Sequence, residues 1–71
     1  MKTLSIRRES DGKLFEISKE NNEWRIYENL GRNGRFKAVF NDAVLKWNDI
    51  EPFKSMVQAY RFLKENINNL L

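Results

Sequence analysis

The stretch Glu23-Trp-Arg-Ile-Tyr-Glu-Asn-Leu-Gly-Arg-Asn-Gly-Arg-Phe-Lys-Ala-Val-Phe40 decides the fold. It reads as two strands of alternating character joined by a glycine-bearing turn. Taking Arg32-Asn33-Gly34 as a three-residue hairpin loop, with Gly34 in the left-handed region such loops require, sets Leu30 opposite Phe36 and Ile26 opposite Phe40. One face of the pair is then apolar. The other carries Arg25, Tyr27, Asn29, Arg35, Lys37 and Val39.

Upstream, Asn21-Asn22 suits a tight turn because Asn tolerates positive φ, and that turn sets Ile17 against Ile26 and Lys19 against Trp24. Further back, Asp11-Gly12 is a strong two-residue hairpin signal. With those residues central, Ile6 falls opposite Ile17 and Arg8 opposite Phe15. Strands are expected at about 3–9, 13–19, 23–30 and 35–40, with Ile6, Ile17 and Ile26 in one row.

Downstream, a turn at Asn41-Asp42 pairs Ala38 with Leu45 and Phe36 with Trp47 in a fifth strand at about 43–47. The alternative is a helical turn opening at Asp42, since short apolar runs are ambiguous by period. Ser55-Met-Val-Gln58 has the form of a capping box. Met56, Ala59, Tyr60, Leu63, Ile67 and Leu70 then recur at three- and four-residue spacing, predicting a helix over 55–68 with one apolar stripe. Asn66, Asn68 and Asn69 weaken its last turn, so fraying is expected after about Ile67. The fold class is α+β: an antiparallel meander of four or five strands with one C-terminal helix packed on one face, in a single domain spanning 1–71.

Composition bounds the chemistry. The 71 residues are 41% hydrophobic and 32% charged with a net charge of +3, so the placement of charge matters more than its sum. There is no Cys and no His, which removes thiol nucleophiles, zinc-thiolate sites, and the commonest general base and metal ligand. Glu9, Glu16, Glu23 and Glu28 are kept apart by strand alternation, and Asp42, Asp49 and Glu51 read as turn and loop solvation. Neither enzyme chemistry nor a cofactor or metal site is expected. Arg32, Asn33 and Arg35 around the two glycines read as a polar hairpin loop or as phosphate contacts from a loop tip, although the spacing is not that of a P-loop. With no apolar run of signal-peptide or membrane-spanning length, a cytoplasmic protein is the default expectation.

The face away from the helix is expected to show Ser5, Arg7, Glu16, Ser18, Arg25, Tyr27, Asn29, Arg35, Lys37, Val39, Val44 and Lys46, five cations against one acid. Lys37 falls opposite Lys46, an arrangement that destabilises a sheet unless an anion lies between them. A phosphate backbone supplies such an anion, while Tyr27 and the planar Arg side chains offer faces on which bases stack. The leading expectation is a small non-enzymatic module that binds single-stranded DNA or RNA. The plain alternative is a solvated face whose Tyr and Val residues support strand propensity. Phe62, off the helix stripe, and Trp47 are candidate interface residues for a homodimer or a protein partner. They carry the second functional expectation: a protein-interaction or inhibitor module, of phage or mobile-element type, acting through an apolar patch or a sheet edge.

Leu14-Phe-Glu-Ile-Ser-Lys-Glu-Asn21 followed by Trp24-Arg-Ile-Tyr-Glu28 resembles the Pur-alpha family, with Gly34-Arg-Phe36 and the region from Phe53 to Phe62 in comparable places. The resemblance covers about residues 13–63. It implies a curved antiparallel sheet followed by one helix, binding to single-stranded DNA or RNA, and Lys19, Asn21 and Arg25 as contacts around the first hairpin of the motif. The chain departs from the family in lacking its Gly-Arg-rich segments and in holding one repeat where many members hold several, so a dimer would complete a family-like unit. Whirly-type sheet-plus-helix folds offer a comparison of the same kind.

Overall fold

The computed structural model describes residues 3–41 and 51–71. Four antiparallel strands, β1 (Thr3–Arg7), β2 (Leu14–Glu20), β3 (Glu23–Asn29) and β4 (Arg35–Lys37), form an open sheet in the order β1-β2-β3-β4. The helix α1 (Met56–Asn66) packs against β2 and β3 and ends in a 3-10 turn at Ile67–Asn69. The architecture is therefore the α+β meander with one C-terminal helix. The expected fifth strand, or helical turn, at 43–47 falls outside the described residues.

The central hairpin has the expected register, with Ile17 opposite Ile26 and Lys19 opposite Trp24. Asn21 and Asn22 take φ of 52° and 64°, the left-handed pair that matches strand twist in a two-residue turn. The two outer hairpins differ from expectation, each by two residues. Leu4, not Ile6, faces Ile17, Ile6 faces Phe15, and Phe36 faces Glu28 instead of Leu30. A shift of two keeps every side chain on its expected face, whereas a shift of one would have inverted the sheet. The row is thus Leu4-Ile17-Ile26, with both isoleucines fully buried and Leu4 half-buried.

Loop chemistry explains both shifts. In the first loop, the Arg8 amide donates to the Lys13 carbonyl and the Gly12 amide to the Arg8 carbonyl, both at 2.8 Å, so four residues turn the chain. Asp11 is drawn out of a two-residue turn by Arg8, whose Nε and Nη2 reach its two carboxylate oxygens at 3.0 and 2.7 Å. In the other loop, the Leu30 amide donates to the Gly34 carbonyl at 2.9 Å, which leaves Gly31-Arg32-Asn33 as the turn. Both Gly31 and Gly34 take positive φ, so two glycines shape this loop.

β4 stops at Lys37, not Phe40. Ala38 still donates to the Ile26 carbonyl, but Phe40 pairs with Leu70 of the C-terminal tail. Further along β3, Trp24 and Phe53 exchange backbone bonds at 2.9 Å each and extend that edge. The core gathers Phe15, Ile17 and Ile26 from the sheet with Ala59 and Leu63 from α1, and Trp24, Ala38, Phe40, Phe53 and Leu70 complete it. Ser55 caps the helix as expected, its hydroxyl accepting from the Gln58 amide at 3.2 Å. The Asn-rich end is tied down rather than left to fray: Arg8 Nη1 donates to the carbonyls of Ile67 and Leu70 at 2.7 and 2.5 Å. A cation at the carbonyl end of a helix is the favourable placement.

Candidate binding surfaces

Alternation places even-numbered residues of β2 and odd-numbered residues of β3 and β4 on the face away from α1. Arg25, Tyr27, Arg35 and Lys37 are brought together there, with Tyr27 directly opposite Lys37. The Arg35 guanidinium lies 4.7 Å from the centroid of the Tyr27 ring, a cation–π stack. Its Nη1 donates to Ser18 Oγ at 2.7 Å and to Glu16 Oε1 at 3.2 Å. Ser18 is consequently fully buried on a face expected to be open. Burial foremost, and the neighbouring Glu20 next, push the Tyr27 hydroxyl pKa up, which keeps it neutral through the physiological range.

The face is far less cationic than its alternation suggests. Arg35 Nη2 lies 3.5 Å from Glu20, and Arg25 Nη2 lies 3.0 Å from Glu23. Glu51 completes the compensation. Its Oε2 accepts the Ile26 amide at 3.0 Å, while Oε1 lies 3.0 Å from Lys37 Nζ and 3.5 Å from Arg25 Nη1. The Glu51 side chain is only 1% exposed. It fills the gap along β3 between β4 and the Phe53 bridge, offering a carboxylate oxygen where a strand carbonyl would otherwise be needed. Lys37 is met by this attraction, while its expected repulsion by Lys46 falls outside the described residues. Lys46 and Trp47 lie outside them.

The other expected contacts sit apart from this cluster. Arg7 is on the same face at the β1 edge, where its Nη1 donates to the Gly12 carbonyl at 2.7 Å. Lys19 lies opposite Trp24 and so belongs to the helix side of the sheet, and Asn21 sits in the adjacent turn. Phe62 is half-buried, with its ring centroid 5.7 Å from that of Phe40 and 5.4 Å from that of Phe53. Sequence reasoning missed Glu51, Glu20 and Arg8 as organising residues. Glu20 shares the parity of Glu16 and Ser18, so alternation alone could have placed it.

A second surface lies at the sheet margin. The Arg8 amide bonds Lys13 across the first hairpin, so in the antiparallel pattern Ile6 and Leu4 also bond β2. The amides and carbonyls of Thr3, Ser5 and Arg7 therefore point away from the sheet, and nothing pairs with them among the described residues. Beside this edge runs a groove of about 580 Å³ between β1 and the C-terminal end of α1. Ile6 and Ile67 supply its apolar lining, and Arg7, Glu9, Lys64 and Asn68 its rim. Among the described residues, Lys64 and Glu9 make no ion pair. Arg8 also lines the groove, but its donors are occupied by Asp11, Ile67 and Leu70.

Among the described residues no three of Asp, Glu, His or Cys gather as metal ligands, and no helix is long and apolar enough to cross a membrane. Compared with known proteins, the chain matches no family model, no curated protein and no solved structure.

Proposed function

We propose that this chain is a non-enzymatic binding module that takes up an extended polypeptide strand at the outer edge of β1, which is unpaired among the described residues. The observation that carries the reading is the coincidence of outward-facing backbone at Thr3, Ser5 and Arg7 with an adjoining groove lined by Ile6 and Ile67. Strand addition draws its affinity from main-chain hydrogen bonds and its selectivity from pockets that receive alternate side chains, and both components are side by side here. The opposite edge suits the role less well: β4 is three residues long and flanks Phe36 with Arg35 and Lys37, the charged residues by which sheets discourage edge pairing. The test is titration with a strand-forming peptide, followed by amide exchange. Protection gained at Ser5 and Arg7 supports edge addition, and unchanged exchange with saturating peptide refutes it.

A second reading rests on the Arg35–Tyr27 stack. Single-stranded nucleic acid laid over that plane would gain from base stacking, in keeping with the family resemblance noted for residues 13–63. Four acids answer the cations of this face, so the reading expects binding with little salt dependence. Oligonucleotide titration at two salt concentrations tests it. Lys37→Gln should then have little effect and Tyr27→Ala should weaken binding by on the order of 1–3 kcal/mol, as measured for base–aromatic contacts. Absence of binding at low salt would dismiss it.

A further inference from the structure

We propose that the strand accepted at β1 carries one aliphatic side chain for the Ile6–Ile67 groove and a single carboxylate for Lys64. This deepens the strand-addition reading and rests on it. The register of the sheet fixes where side chains of an added strand must go. Residues aligned with Leu4 and Ile6 point to the helix side, where the groove lies, and those aligned with Ser5 and Arg7 point to the open face. A side chain level with Ile6 enters apolar surroundings. The apolar lining consists of two branched aliphatic side chains, Ile6 and Ile67, so one aliphatic residue is the match.

The rim sets the charge. Lys64 is exposed on the last full turn of α1 and has no ion-pair partner among the described residues, although Glu9 borders the same groove. Arg7 adds positive charge at the strand edge of the same groove. Arg8 contributes little, because Asp11 compensates it at 2.7 Å. A carboxylate near Lys64 would therefore be attracted. Further acids would meet Glu9, which lines the same groove, and repulsion there limits the preference to one acid in place of a polyanion. This same acid disfavours a phosphate backbone in the groove.

Three blocked hexapeptides of alternating Thr and Ile separate the possibilities: one with Glu in place of the central Ile, one with Gln there, and one with Glu in place of two successive Ile residues, so that both carboxylates share the groove face. Binding is followed by amide chemical shifts of the intact protein. The Glu peptide should bind roughly two- to fivefold more tightly than the Gln peptide, the worth of a half-exposed ion pair. Lys64→Gln should erase that difference while leaving Gln-peptide binding unchanged. Equal binding of the Glu and Gln peptides, or preference for the doubly acidic one, would overturn the charge inference and leave strand addition standing. Failure of all three peptides to shift Ser5 and Arg7 would overturn both. Ser5→Pro serves as the blocking control, since proline removes an outward amide at an edge position. If that variant does not fold, the shifts of Ser5 and Arg7 in the parent protein decide the matter.

Discussion

Glu51 occupies the place of a strand, and its two oxygens do different work. One accepts the Ile26 amide at 3.0 Å, and the other faces Lys37 and Arg25. Replacing Glu51 by Gln keeps an acceptor for Ile26 and removes the charge. Replacing it by Met keeps the methylene stem and removes both. Lys37 and Arg25 are 50% and 32% exposed, so solvent takes over much of what they lose, and the ion pairs together should contribute only about 0–1 kcal/mol. The Ile26 amide has no such recourse, because it lies in a fully buried residue. Leaving that donor unsatisfied costs about 1–3 kcal/mol. Glu51→Met should therefore be about 1–3 kcal/mol less stable than Glu51→Gln, in urea titrations followed by tryptophan fluorescence. In a domain of this size each kcal/mol corresponds to roughly 4–8 °C in Tm. Hydrogen exchange at Ile26 should accelerate in the Met variant alone. Equal stability of the two variants, within about half a kcal/mol, would refute the assignment of Glu51 as a backbone acceptor.

Ile17→Ala should cost roughly 2–5 kcal/mol in the same assay, because Ile17 is fully buried between Leu4 and Ile26, and Ile6→Ala should cost less because Ile6 is only half-buried. Arg8, chiefly through its hydrogen bonds, holds the Asp11 carboxyl down to about 2, below the ordinary carboxylate range. A lowered folded-state value means stability that is present above the unfolded pKa near 4 and is lost as pH falls through about 2. Asp11→Asn should flatten the acid limb of a stability-versus-pH curve in that window, and an unchanged slope would contradict it. Phe62→Ser should lower stability in dilute monomer, since the ring packs on Phe40 and Phe53. Sedimentation of that variant is informative about association only after its fold is checked by circular dichroism.

Much of the fold was legible because strand alternation has period two. Errors of two residues in the first and third hairpins left Ile17, Ile26, Tyr27 and Arg35 on their proper faces, so the core and the open face emerged although the partners did not. The Asn21-Asn22 turn was legible in full, since two adjacent residues tolerant of positive φ leave few other solutions. What stayed hidden depended on contacts distant in sequence. Nothing local to Glu51 shows that its carboxylate reaches Ile26, 25 positions away, and nothing near Arg8 shows that its carbonyl partners are Ile67 and Leu70. The candidate site suffered most from this. Of a face counted as five cations and one acid, Arg25, Arg35 and Lys37 are compensated by Glu16, Glu20, Glu23 and Glu51. The groove beside β1 escaped notice because its two sides, Ile6 and Ile67, are far apart in sequence.

The grip of Arg8 on the Leu70 carbonyl spans 62 positions. During vectorial synthesis the first two hairpins can close as soon as they appear, since each needs only its neighbours. The first loop then holds a guanidinium with one nitrogen uncommitted until residues 67–70 have been made. Docking of α1 supplies the missing carbonyls and at the same stroke brings Leu70 to Phe40. The segment 67–70 therefore acts as a latch on the first loop, and the groove between Ile6 and Ile67 exists only after that latch has closed.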